Sequence, residues 1–68
     1  MSNNIYTMIF FLPEYKEDFI SRSKGQRRFK IVSDVDRRTI WIQFRKGTKA
    51  EWILSLADFW NAQILVGK

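Results

Sequence analysis

The segment RRTIWIQFRK, residues 37–46, alternates in the manner of a β-strand. Residues two apart share a sheet face, so Ile40, Ile42 and Phe44 fall on one side and Thr39, Trp41, Gln43 and Arg45 on the other. The apolar trio is the expected core side. A tryptophan is then left among polar and cationic groups, on a face that an ordinary half-buried strand gives to water. The layering of the fold decides what that means. If the helices share one face of the sheet, the other is a basic face carrying Trp41; if they lie on opposite faces, Trp41 is core.

The preceding segment reads as the hairpin partner. Residues 27–33 alternate, with Phe29 and Ile31 on one face and Arg28, Lys30 and Val32 on the other. Between the two runs, DVDRR has the Asp-rich composition of a turn, because Asp side chains bond nearby backbone N–H groups and tolerate unusual dihedrals. In the resulting antiparallel hairpin, Arg28 and Lys30 are expected on the same side as Trp41, Gln43 and Arg45, with Arg37 at the turn end.

Outward from the hairpin, IYTMIFFL at residues 5–12 is almost wholly apolar and reads as a strand buried on both faces, ended by Pro13. Pro13 suits the first turn of a helix, predicted over residues 13–24. Glu14, Glu17 and Asp18 would sit near its positive end, Arg22 and Lys24 near its negative end, and Gly25 just beyond as a left-handed cap. Tyr15, Phe19 and Ile20 form its apolar stripe. After the hairpin, TKAE at residues 48–51 matches a capping box and predicts a helix over residues 49–64. Ile53, Leu56, Ala57, Trp60 and Ile64 recur there at helical spacing, and Trp52 and Phe59 widen the stripe. The expected fold is α+β: one small domain of order β-α-β-β-α, with helices packed on a three-stranded, mainly antiparallel sheet.

A chain of 68 residues without Cys has neither disulfides nor Cys-ligated zinc to supplement its core. Its eleven aromatic residues supply bulky packing instead. Homodimerisation would serve the same end by burying excess apolar surface. The apolar run at residues 5–12 is too short for a spanning helix, which needs about 20 residues, and Asn3 and Asn4 stand where a secretory signal would carry cations. The expectation is a soluble cytoplasmic protein with no membrane partner.

With neither His nor Cys, the chain lacks the commonest general base, the thiol nucleophile and most transition-metal ligands. Asp34 and Asp36 suit turn chemistry better than a cation site. Gly25, Gly47 and Gly67 match no phosphate-binding loop, and Ser21 and Ser23 have no visible activating base. No catalysis, cofactor or metal is expected.

The formal charge of +5 is unevenly spread. From residue 22 to residue 49, ten cations stand against Asp34 and Asp36, a balance of +8, and the remainder carries −3. Such segregation favours a polyanionic partner, nucleic acid first and an acidic protein second. Cations neutralise phosphates, an interleaved aromatic stacks on unpaired bases and Gln can bond a base edge. The sequence therefore points to a non-enzymatic nucleic-acid-binding protein, taking DNA or RNA on Arg28, Lys30, Arg37, Trp41, Gln43 and Arg45. The competing expectation is a protein-interaction module, an inhibitor or regulatory subunit. It would dock on an acidic partner through basic and aromatic surface, with Trp52, Phe59 and Trp60 at the interface.

Overall fold

A computed structural model describes residues 5–66; Asn3, Asn4, Gly67 and Lys68 lie outside the described residues. The elements are β1 (Ile5–Phe10), α1 (Pro13–Arg22), β2 (Phe29–Asp36), β3 (Thr39–Phe44), α2 (Ala50–Phe59) and β4 (Ala62–Val66). The sheet has four strands in the order β2-β3-β1-β4, every neighbouring pair antiparallel. Each helix thus joins two parallel strands that are separated by a third, the split β-α-β plan of ferredoxin-like folds.

The expected three-stranded sheet is corrected by β4. The second helix stops at Phe59 rather than running to residue 64, because Asn61 takes a left-handed conformation (φ 56°) that reverses the chain. Asn tolerates this backbone region better than most residues. Ile64, which fits the helical spacing of α2, instead lies in β4 opposite Met8. The capping box also fails. Lys49 is the N-cap without a side-chain cap, and the Thr48 hydroxyl donates to the Arg45 carbonyl at 2.6 Å. The first helix follows its expectation more closely: Pro13 opens it, it ends at Arg22 with Ser23 as cap, and Gly25 follows with φ 86°.

Side-chain alternation sorts the sheet faces. Met8 and Phe10 of β1 and Ile40, Ile42 and Phe44 of β3 are buried on one face, where Phe19 of α1 and Ile53 of α2 meet them. Burying each large side chain of this kind contributes about 1.5–3 kcal/mol. The Phe19 ring lies 5.3 Å from Phe10 and 5.4 Å from Phe29, while Trp52 lies 6.4 Å from Phe29 and 6.2 Å from Phe44. Both helices therefore cover the same face, and Trp60 at the end of α2 meets Phe19 edge-on at 5.2 Å. The opposite face has no helix. For that reason β1 is not buried on both sides as expected: Ile5, Thr7 and Ile9 are only half-buried.

Lys16 fixes α1 to the far strand. Its buried ammonium donates to the Asp34 carboxylate and, at 2.8 Å, to the Asp36 carbonyl. Asp34 thus lies within β2 and pairs with Lys16 of α1 rather than serving the turn, and the turn itself is only Arg37 and Arg38. The Asp36 carboxylate keeps its turn role, accepting the Arg38 N–H at 3.0 Å.

Candidate functional site

The question posed by Trp41 is answered by the layering: it stands, half-buried, on the face that no helix covers. Strand register arranges this face in rows. Ser33, Trp41, Thr7 and Leu65 form one, and Lys30, Gln43 and Ile5 the next. Lys30 and Gln43 share a face, as the hairpin reading expected, and sit directly opposite each other. Two irregularities in β2, between Ile31 and Ser33 and between Asp34 and Asp36, shift its register toward the turn.

Arg28 and Arg45 continue the hairpin beyond Lys30 and Gln43, with the Arg45 N–H donating to the Arg28 carbonyl at 2.8 Å. The Arg28 side chain, however, leaves the expected face. Its guanidinium carbon lies 5.1 Å from the Trp52 ring centroid, turned to the helix layer. At a strand end the alternation of faces no longer binds the side chain, and the ring face of Trp52 attracts the cation. Gln26 holds this corner by accepting the N–H groups of Arg28 (2.7 Å) and Phe29 (3.3 Å) and donating to the Phe29 carbonyl.

A cleft of about 730 Å³ opens beside it, where the end of α1 faces the start of α2. Arg22, Arg27, Arg28, Arg45 and Lys46 line it, with Trp52, Leu56 and Trp60 among its apolar walls and no carboxylate. Arg22 is partly neutralised by Asp18, 3.0 Å away on the same helix. Among the described residues, no ion pair joins Arg27, Arg28, Arg45 or Lys46 to a carboxylate. Like charges held this close, without compensation, make a locally positive potential that concentrates anions. A shallower groove of about 500 Å³ runs from Arg27, Arg28, Arg45 and Lys46 to Lys30 and Gln43, joining the cleft to the uncovered face.

The structure therefore gathers Arg28, Lys30, Gln43 and Arg45, and places Trp41 two residues further along the same face as Gln43. Arg37 is separated from them. It occupies the hairpin turn, six β3 residues from Arg45, a span of about 20 Å at about 3.3 Å per residue. The aromatic trio divides as well: Phe59 is 81% exposed, whereas Trp52 and Trp60 are half-buried against the core. Sequence reasoning left Arg22 at a helix end and Arg27 and Lys46 at element ends, outside the central site. A signal for the latter two was present, because the pairs Arg27–Arg28 and Arg45–Lys46 flank the hairpin symmetrically and must meet at its open end.

Among the described residues, no cluster of His, Cys, Asp or Glu could hold a metal ion, and no helix is long and apolar enough to cross a membrane. No protein family, curated protein or solved structure matches the chain.

Proposed function

We propose that this protein is a small non-enzymatic nucleic-acid-binding module. The observation that carries the reading is the cleft lined by five cations and no carboxylate, continuous with Lys30 and Gln43 on the uncovered sheet face. Phosphates spaced along a strand suit such a band of cations, which neutralise them and release counterions. Four-stranded sheets on this plan can stack unpaired bases on aromatic side chains of an uncovered face. Trp41 is the aromatic this sheet offers there, with Gln43 beside it to bond a base edge. The analogy is one of fold alone and lends the reading less than the charge does.

The test is fluorescence anisotropy of labelled single-stranded DNA, duplex DNA and RNA at two salt concentrations. Binding that weakens steeply with salt, and is lost in Arg28→Glu/Lys30→Glu while the circular dichroism spectrum is unchanged, is the expected result. Absence of binding at low salt overturns the proposal. A second reading, a protein-interaction module docking on an acidic partner, is favoured by Phe59 and Leu54, which are 81% and 61% exposed on α2. Stoichiometric recovery of an acidic protein from nuclease-treated lysate, lost in Phe59→Ser, would support it.

A further inference from the structure

We infer that the cleft between α1 and α2 takes an unpaired base of a single strand, stacked on Trp52, with the adjoining phosphates held by Arg27, Arg28, Arg45 and Lys46. This rests on the nucleic-acid reading above and adds the strandedness of the ligand and the place of one base.

Three observations converge on it. First, the Trp52 ring already receives a planar group: the Arg28 guanidinium lies over it with its carbon 5.1 Å from the centroid. A base is planar too and has a larger face, so it can replace the guanidinium there and leave Arg28 to pair with the phosphate next to it. Meanwhile Phe29 and Phe44 hold Trp52 from the core side, so its orientation is set before any ligand arrives.

Second, the cleft has the size and lining for a nucleotide. Its volume of about 730 Å³ falls within the range of small-molecule sites, and it combines apolar walls with a cationic rim. Ser23 and Thr48 also line it. Their hydroxyls donate to the carbonyls of Phe19 and Arg45, which leaves their oxygens free to accept from base N–H groups. A duplex keeps its bases stacked inside the helix and cannot insert one without first unpairing it.

Third, the route into the cleft is already charged. The groove carrying Lys30 and Gln43 leads past Arg28 and Arg45 to Trp52, so one strand can lie on the uncovered face and turn its next base into the cleft.

The experiment uses the intact chain and three probes of equal length: oligothymidylate, its abasic counterpart and a duplex. Stacking of one base predicts that oligothymidylate binds roughly 5- to 150-fold more tightly than the abasic strand. Photo-cross-linking of an oligonucleotide carrying 5-iododeoxyuridine should label Trp52. In Trp52→Leu, shown by circular dichroism to be folded, the preference for bases over the abasic backbone should fall by that factor, leaving only the part that Trp41 and Gln43 supply. Equal affinity for oligothymidylate and the abasic strand, or a cross-link to Trp41 alone, overturns this inference and leaves nucleic-acid binding standing. Binding to none of the probes overturns both.

Discussion

Neutralising the side chains at residues 45 and 46 should lower the salt sensitivity of nucleic-acid binding by a calculable amount. Among the described residues, five cations along the cleft and groove have no carboxylate partner: Arg27, Arg28, Lys30, Arg45 and Lys46. If each meets one phosphate of a single strand, at about 0.7 per contact the logarithm of affinity should fall with that of salt at a slope near −3.5. Between 50 and 200 mM salt, that is a loss of roughly 100-fold. Arg45→Ala/Lys46→Ala leaves three contacts, so the slope should ease to about −2 and the loss to roughly 20-fold. Both side chains are exposed, and the Arg45 N–H to Arg28 carbonyl bond belongs to the backbone, so the fold should survive. Anisotropy titrations at four salt concentrations, with unfolding curves of both proteins, provide the data. An unchanged slope would falsify the assignment of these two residues to phosphate contacts, even if affinity dropped.

Lys16 offers a contrast between two substitutions. Lys16→Met keeps the buried stem and removes the charge; because the Asp34 side chain is 58% exposed and can be solvated, stability should change by no more than about 1 kcal/mol. Lys16→Ala also empties the space under α1 and should cost about 2–3 kcal/mol in urea unfolding; equal effects would refute the packing role of the stem. At the end of α2, Asn61→Val should cost about 1–2 kcal/mol, because a β-branched residue strains at positive φ, whereas Asn61→Gly should be neutral or stabilising by the same assay. The Arg38 N–H holds the Asp36 carboxyl below its ordinary range, aided by the Thr39 hydroxyl. Its contribution to stability is therefore present above the ordinary carboxyl range and lost as pH falls through the lowered value. Unfolding midpoints of wild type and Asp36→Ala should differ at neutral pH and converge on strong acidification; a constant gap would show that the carboxylate charge is irrelevant.

Several functional features were legible because they are properties of composition or of one element. The segregation of ten cations into residues 22–49 and the lack of His and Cys are visible in the sequence. That Lys30 and Gln43 share a face follows from alternation, and it held because the two register shifts in β2 together displace the pairing by two residues; the partner standing opposite Lys30 was not legible. The direction of Arg28 was not legible, since it depends on Trp52, which is distant in sequence and reaches the hairpin only through the helix layer.

By itself the sequence determined which residues of each strand share a side, because a two-residue repeat is a local property of extended backbone. Ile40, Ile42 and Phe44 needed no tertiary information to be recognised as a core face. It could not determine whether Ile64 continues a helix or joins a strand. Its spacing fits α2, while its partner Met8 lies at the other end of the chain, and only pairing with β1 makes the strand pay. The same long-range closure places both helices on one face. The tertiary structure thereby decided that Trp41 stands on the uncovered face, and that the cations at the ends of three elements meet in one cleft.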